Sequence, residues 1–168
     1  MNLLLDTHVA LWAIADSPRL SAKAREPILS PRATIWISAA TIWEIAIKHG
    51  LARGNMPVSG EEAIRHFRSA GFQFLSVEPE HAAAVDALPG HHQDPFDRLL
   101  VAQAIVEPMR LITHDTAVAR YSDTILGGLI EKSYPLVTAV LFAFPICFTT
   151  KDTKDTKRLD NEALDPVL

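Results

Sequence analysis

Four carboxylic acids stand where chain connectivity would bring them to one edge of a sheet. Asp6 directly follows Leu3-Leu4-Leu5, and Asp115 comes two residues after Ile112-Thr113. Glu44 lies one to two turns into a helical segment, Ala39 to Gly50, which follows the β-branched run Thr34 to Ile37. Asp97 falls in the first turn of a helix opened by Asp94-Pro95. Clustered carboxylates repel and take up protons unless a cation compensates them. An all-oxygen acidic set is the ligand set of Mg²⁺ or Mn²⁺ rather than of zinc. Such an ion lowers the pKa of a bound water, places it in line with a phosphodiester and offsets charge on the leaving oxygen.

The elements that must position these acids alternate along the chain. Asn2 to Leu5 reads as a buried strand, and Val9, Leu11, Trp12 and Ile14 have helical spacing. The run Ala22 to Glu26 is helical until Pro27 interrupts it. Thr34 to Ile37 is a second strand, and the helix after it ends on Gly50, a common cap. Ser59-Gly60-Glu61-Glu62 matches a capping box, with Ile64 and Phe67 on one face behind it. Gln73 to Val77 is a third strand, Pro79 opens a helix, and Asp94-Pro95 starts another that runs through Ile105. Leu111 to Thr113 is a fourth strand, and Thr124 to Leu126 a candidate fifth. The alternation predicts an α/β fold with a central, mostly parallel, twisted sheet of four to five strands flanked by helices. In such sheets the working crevice lies beyond the carboxyl ends of the strands, where helices that follow strands also begin.

Composition bounds the rest. The 168 residues are 48% hydrophobic and 21% charged, ordinary globular usage for a single domain. The one cysteine, Cys147, cannot pair within the chain, which excludes an internal disulfide and zinc sites built on Cys pairs. Net charge is −4, so a nucleic-acid partner would need a metal ion or a few local basic residues to offset the negative field, and a bridging ion does so. The opening MNLLLDTHVALWAIA lacks a basic start and carries Asp6 and His8, unlike a signal peptide. The apolar stretch Pro135 to Phe148 is shorter than a membrane span of roughly 20 residues. A cytoplasmic protein with no membrane association is the expectation. Composition shifts near Gly127-Gly128, which divides the chain into a domain of residues 1–128 and an atypical extension of residues 129–168. That extension has an apolar patch followed by a Lys-Asp-Thr repeat with no face to bury, the composition of a disordered tail.

Three longer blocks resemble a known family. Leu4-Leu5-Asp6-Thr7-His8, Ser38-Ala39-Ala40-Thr41-Ile42-Trp43-Glu44-Ile45-Ala46-Ile47-Lys48 and His92-Gln93-Asp94-Pro95-Phe96-Asp97-Arg98-Leu99-Leu100-Val101-Ala102-Gln103-Ala104 are similar to the PIN-domain toxins of the VapC type. Leu111-Ile112-Thr113-His114-Asp115 fits a fourth segment, in the family's order. The resemblance implies a PIN-like fold, Mg²⁺-dependent endoribonuclease activity (Mn²⁺ as substitute), an RNA substrate, a homodimer, a prokaryotic cytoplasmic setting and a VapB-like antitoxin that occludes the site. It puts Asp6, Glu44, Asp97 and Asp115 on the family's acidic quartet. Asp6 and Asp97 are the expected direct metal ligands, and Glu44 and Asp115 act through water. Thr7, Arg98 and Thr113 are candidates for substrate contact, the threonines by way of the carboxylates they could hydrogen-bond.

Each residue also has a plainer reading. Asp6 and Asp115 could cap or turn the chain, and Arg98 could form a helix-surface ion pair. Asp94 reads as the helix N-cap rather than a ligand. His91-His92 cannot easily present both rings to one ion, His114 reads as a loop histidine, and Trp12, Trp36 and Trp43 read as core. Arg65, His66 and Arg68 make either an RNA-facing stripe or a solvated face. Two other functions compete. A phosphatase of the haloacid-dehalogenase kind would need a second Asp where His8 stands, and a receiver domain needs adjacent acids after the first strand. A non-catalytic interaction module would have no use for all four acids.

Overall fold

The computed structural model describes residues 1–51 and 56–127. The proposed division at residue 128, and the extension of residues 129–168, lie outside them. Four parallel strands form the sheet: β1 (Asn2–Leu5), β2 (Thr34–Ser38), β3 (Gln73–Leu75) and β4 (Arg110–Ile112), in the order β3-β2-β1-β4. Leu4 of β1 registers with Trp36 of β2 on one side and with Leu111 of β4 on the other. The candidate fifth strand is a single parallel bridge, Ile112 to Leu126, held by Leu126 N–H on Leu111 O (2.8 Å) and Thr113 N–H on Leu126 O (3.0 Å).

Both faces of this sheet are covered, which is why β1 is an unbroken leucine run rather than an alternating one. Side chains still alternate between faces. Leu3 and Leu5 join Val9, Leu11, Ile45 and Phe67 on one face. Leu4 joins Leu100, Val101, Leu111 and Val118 on the other. The first face is covered by α1 (Thr7–Ile14), α2 (Ala22–Ile28), α3 (Ala39–Gly50) and α4 (Gly60–Ser69), while α5 (Pro79–Ala84) precedes α6 (Pro95–Val106), which supplies the second. Ser59 makes the expected capping box with Glu62, and Asp94 caps α6 through Phe96 N–H (2.8 Å) and Asp97 N–H (3.3 Å). Pro27 sits inside the last turn of α2, which continues one residue past it to Ile28.

One expectation about the core is corrected. Trp12 and Trp36 are half-buried, but Trp43 is 59% exposed, edge-on to Phe96 at 5.1 Å between ring centroids. It lies on the outward stripe of α3 with Ala39, Ala46 and Gly50, spaced three to four residues apart. The buried stripe of the same helix carries Ala40, Thr41, Glu44 and Ile45.

The strand order reverses direction at β1: the chain passes to β2 and β3 on one side and returns to β4 on the other. The crevice beyond β1 and β4 is therefore the topological switch point, the usual place for a site on an open parallel sheet. Asp6 N–H donates to Ile112 O at 3.0 Å across this seam.

Candidate active site

Asp6 leaves β1 and becomes the N-cap of α1, with Oδ1 accepting from Val9 N–H at 2.9 Å. Its Oδ2 accepts from the Thr113 hydroxyl (2.5 Å), the His114 N–H (3.0 Å) and His114 Nδ1 (3.1 Å). Burial alone would raise this carboxyl, but the bonds and charge of His114, with Thr113 and Val9, outweigh it and hold Asp6 below its usual range. The same pairing raises the His114 imidazole. A carboxylate offers about four lone-pair sites. Val9 occupies a single site on Oδ1, so that oxygen retains capacity for a cation.

Glu44 is 5% exposed on α3 and both its oxygens are engaged. Oε2 accepts from the Thr7 hydroxyl at 2.5 Å, and Oε1 pairs with Lys48 one turn along the helix. Burial would lower the Lys48 ammonium, but Glu44, followed by Asp94 and Asp97, raises it.

Asp97 lies in the first turn of α6. Burial first, and then the negative charges of Asp6 and Asp94, push its carboxyl up to about 6, with Glu44 adding to the effect and His92 opposing it. Asp115 follows β4, where its Oδ1 accepts from Ala117 N–H (2.6 Å) and its Oδ2 lies 3.1 Å from His92 Nε2. Burial raises Asp115, yet the Ala117 donor and His92 bring it below the ordinary value.

His92 ties two of the acids together. Its Nδ1 accepts from Asp94 N–H at 3.1 Å, which assigns the ring proton to Nε2 and makes it a donor to Asp115. Asp97 Oδ2 is 3.5 Å from the same Nδ1. His91 turns away and packs edge-on to Tyr121. Nearby, burial lowers the His8 imidazole, aided by the charges of His114 and Lys48.

Thr7 and Thr113 hydrogen-bond carboxylates of the site, the contacts considered for them from the sequence, and Arg98 is engaged with backbone. Thr7 is 3% exposed and Thr113 fully buried, each hydroxyl given to a carboxylate. The Arg98 guanidinium makes no ion pair among the described residues and is caged by backbone carbonyls: Val85 (2.9 Å), Leu88 (3.3 Å), Pro89 (3.1 Å) and His92 (3.4 Å), with the Tyr121 hydroxyl at 3.2 Å. It fixes the loop that presents His92.

The potential ligand atoms fall into two trios, each within 4.8 Å: Asp6, His8 and His114, and His92, Asp97 and Asp115. Asp6 and Asp97 thus belong to neighbouring groups, joined by the field of Asp6 at Asp97 and by Thr113, which donates to Asp6 and accepts from Asp115 N–H at 3.0 Å. The donor set fits a hard divalent cation: four acids around one crevice, one of them raised by burial and by its acidic neighbours. The four sequence-selected acids are all at this edge. Sequence reasoning missed the metal-ligand potential of His8, and the holding roles of His92, His114 and Lys48.

Residues 3–123 match the PIN domain family model. Over 122 residues, 68% of this chain and 87% of the relative, the sequence is 36% identical to Ribonuclease VapC22 of Mycobacterium tuberculosis. Among solved structures, VapBC2 from Rickettsia felis bound to a promoter DNA fragment shares the fold at TM-score 0.56 and 17% identity, over 78% of this chain and 100% of that one. A toxin–antitoxin complex from Klebsiella pneumoniae aligns at TM-score 0.51 and 19% identity, over 74% and 95%. VapBC-1 from nontypeable Haemophilus influenzae aligns at 0.51 and 18%, over 76% and 96%. With its parallel sheet, its acids at the switch point and these matched residues, the chain belongs to the PIN-domain family, among its VapC ribonucleases.

Proposed function

We propose that the chain is a Mg²⁺-dependent endoribonuclease, with Mn²⁺ as a substitute ion, and the toxin of a toxin–antitoxin pair. The observation that carries this reading is the convergence of Asp6, Glu44, Asp97 and Asp115 from four separate elements, with Asp97 raised to about 6 by burial and then by its acidic neighbours. The name of the Mycobacterium tuberculosis relative supports RNA as the substrate class. The solved complexes support a VapB-like antitoxin as the partner. A homodimer in a prokaryotic cytoplasm completes the reading. No helix of the described residues is long and apolar enough to cross a membrane.

Asp6 and Asp97 would hold the ion, Asp6 with spare acceptor capacity and Asp97 with a raised carboxyl that a nearby cation would bring down. When bound, the ion lowers the pKa of its water and offsets charge on the leaving oxygen. Glu44, locked by Thr7 and Lys48, and Asp115, locked by His92 and Ala117 N–H, orient the attacking water through hydrogen bonds. Such locked carboxylates act without reorganising during the reaction. With a chain charge of −4 the net field repels a polyanion, and the same ion would offset that repulsion at the site.

Expression without a partner tests the toxin reading. Growth should arrest with the wild-type chain and recover with Asp6→Asn. Arrest of equal strength with Asp6→Asn would contradict it.

A further inference from the structure

The trio Asp6, His8 and His114 offers two imidazoles and one carboxylate, a donor set unlike the all-oxygen one expected from the sequence. Its three ligand atoms lie within 4.8 Å of one another. The two imidazole rings are 4.8 Å apart between centroids, tilted by 59°. Each ligand comes from a rigid place: Asp6 caps α1, His8 sits in the first turn of that helix, and His114 follows β4, which is bonded to β1. Asp6 is oriented from behind by Thr113, the His114 N–H and Val9 N–H, the kind of outer hydrogen bonds that fix ligands in built metal sites. Trp12 closes one side, its ring 5.9 Å from His8 and 5.4 Å from His114. That apolar wall limits water at the ligands.

The second trio is built differently. Both nitrogens of His92 are already used, on Asp94 N–H and Asp115, so its imidazole is an internal strut. Among the described residues, His8 makes ring contacts with Trp12 and His114 but no hydrogen bond through either nitrogen. A half-buried imidazole with unspent nitrogens, facing a second imidazole and an oriented carboxylate, is what a borderline metal ion requires.

We infer that Asp6, His8 and His114 form a binding site for a borderline transition-metal ion, Zn²⁺ above all, distinct in chemistry from the Mg²⁺ position at the acids. Two imidazoles and a carboxylate with an open fourth position suit Zn²⁺, while Mg²⁺ takes oxygen ligands and keeps its waters. The ion replaces the proton between His114 Nδ1 and Asp6 Oδ2, which leaves to solvent. Because Asp6 is shared, Zn²⁺ here withdraws a ligand from the nucleolytic centre; this consequence alone rests on the ribonuclease reading.

Co²⁺, a coloured stand-in for Zn²⁺, is titrated into tag-free, metal-free protein with no RNA present. Wild type should develop the intense visible absorption of four- or five-coordinate Co²⁺, bleached by Zn²⁺ and resistant to excess Mg²⁺. His8→Ala and His114→Ala should each weaken Co²⁺ binding by about tenfold or more. Asp97→Asn should keep the wild-type spectrum. Thermal melting confirms that each variant is folded, and His8→Asn replaces His8→Ala should the latter not fold. A pale six-coordinate spectrum in wild type, or a wild-type spectrum in both histidine variants, would overturn the inference. So would loss of the absorption in Asp97→Asn with its retention in His8→Ala, which would move the ion onto the acids. Failure of the ribonuclease reading would leave these spectra unchanged.

Discussion

The Thr113 hydroxyl lies 2.5 Å from Asp6 Oδ2, joining the end of β4 to the end of β1 at the point where the sheet order reverses. The Thr113 hydroxyl oxygen also accepts the Asp115 N–H, so one buried threonine sets two acids of the crevice. Thr113→Val keeps the shape and removes both bonds. It should cost about 1–3 kcal/mol in stability, because the Asp6 carboxylate and the Asp115 N–H each lose a partner. Mg²⁺ affinity should fall by about 10–100-fold, as when other ligand-orienting partners are removed. Calorimetric titration alongside thermal melting checks both.

Asp97 sets a pH dependence with an unusual sign. Its carboxyl is raised to about 6, so the folded state binds protons more tightly there than the unfolded state does. Its contribution to stability is full below about pH 4 and is lost as pH rises through about 6. Asp6 and Asp115, both lowered, act oppositely and lose their contribution as pH falls. The difference between wild type and Asp97→Asn isolates Asp97. Without metal, Asp97→Asn should be more stable than wild type at pH 7.5 by about 1–2 kcal/mol, discounted for partial exposure, and the gap should shrink toward pH 5. Urea unfolding at a series of pH values measures it.

Arg98 separates a loop clamp from a phosphate contact. Lysine keeps the charge but cannot span carbonyls with a planar fork. Arg98→Lys should therefore destabilise the protein by about 1–3 kcal/mol through unpaired carbonyls. Melting curves of Arg98→Lys and Arg98→Ala should shift alike. A lysine variant as stable as wild type would return Arg98 to the candidates for substrate contact.

Gln103 makes a buried bridge between the ends of two strands. Its Oε1 accepts from the Ser38 hydroxyl at 2.6 Å and its Nε2 donates to Ser76 O at 2.9 Å. It thereby anchors α6, the helix that carries Asp97. Gln103→Leu should cost about 1–3 kcal/mol, chiefly for the buried Ser38 hydroxyl left without its acceptor. Denaturant unfolding with an unchanged m-value checks that the loss is native-state stability.

Much of this was legible in the sequence because the information is local. The leucine run before Asp6, the capping box at Ser59 and Asp94-Pro95 each mark an element end, and connectivity then delivers the four acids to one edge. Trp43 was readable too, since it shares the exposed stripe of Ala39 and Ala46, but its isoleucine neighbours suggested burial. The positions of His92 and Arg98 were not readable. They depend on the backbone of the loop between α5 and α6, which no periodicity encodes. His114 follows β4, yet only the β1–β4 pairing shows that it meets Asp6. The candidate fifth strand is a single bridge at Leu126 because the chain just before it is taken up in a turn, with Ile125 N–H on Ser122 O at 3.0 Å.

Whether Asp6 and Asp97 share a divalent cation is tested most directly by Mn²⁺ binding, followed by electron paramagnetic resonance. Asn can still cap α1 at position 6, so Asp6→Asn and Asp97→Asn should both fold. Each variant should lose Mn²⁺ affinity by about tenfold or more. Wild-type Mn²⁺ affinity in either folded variant would contradict it.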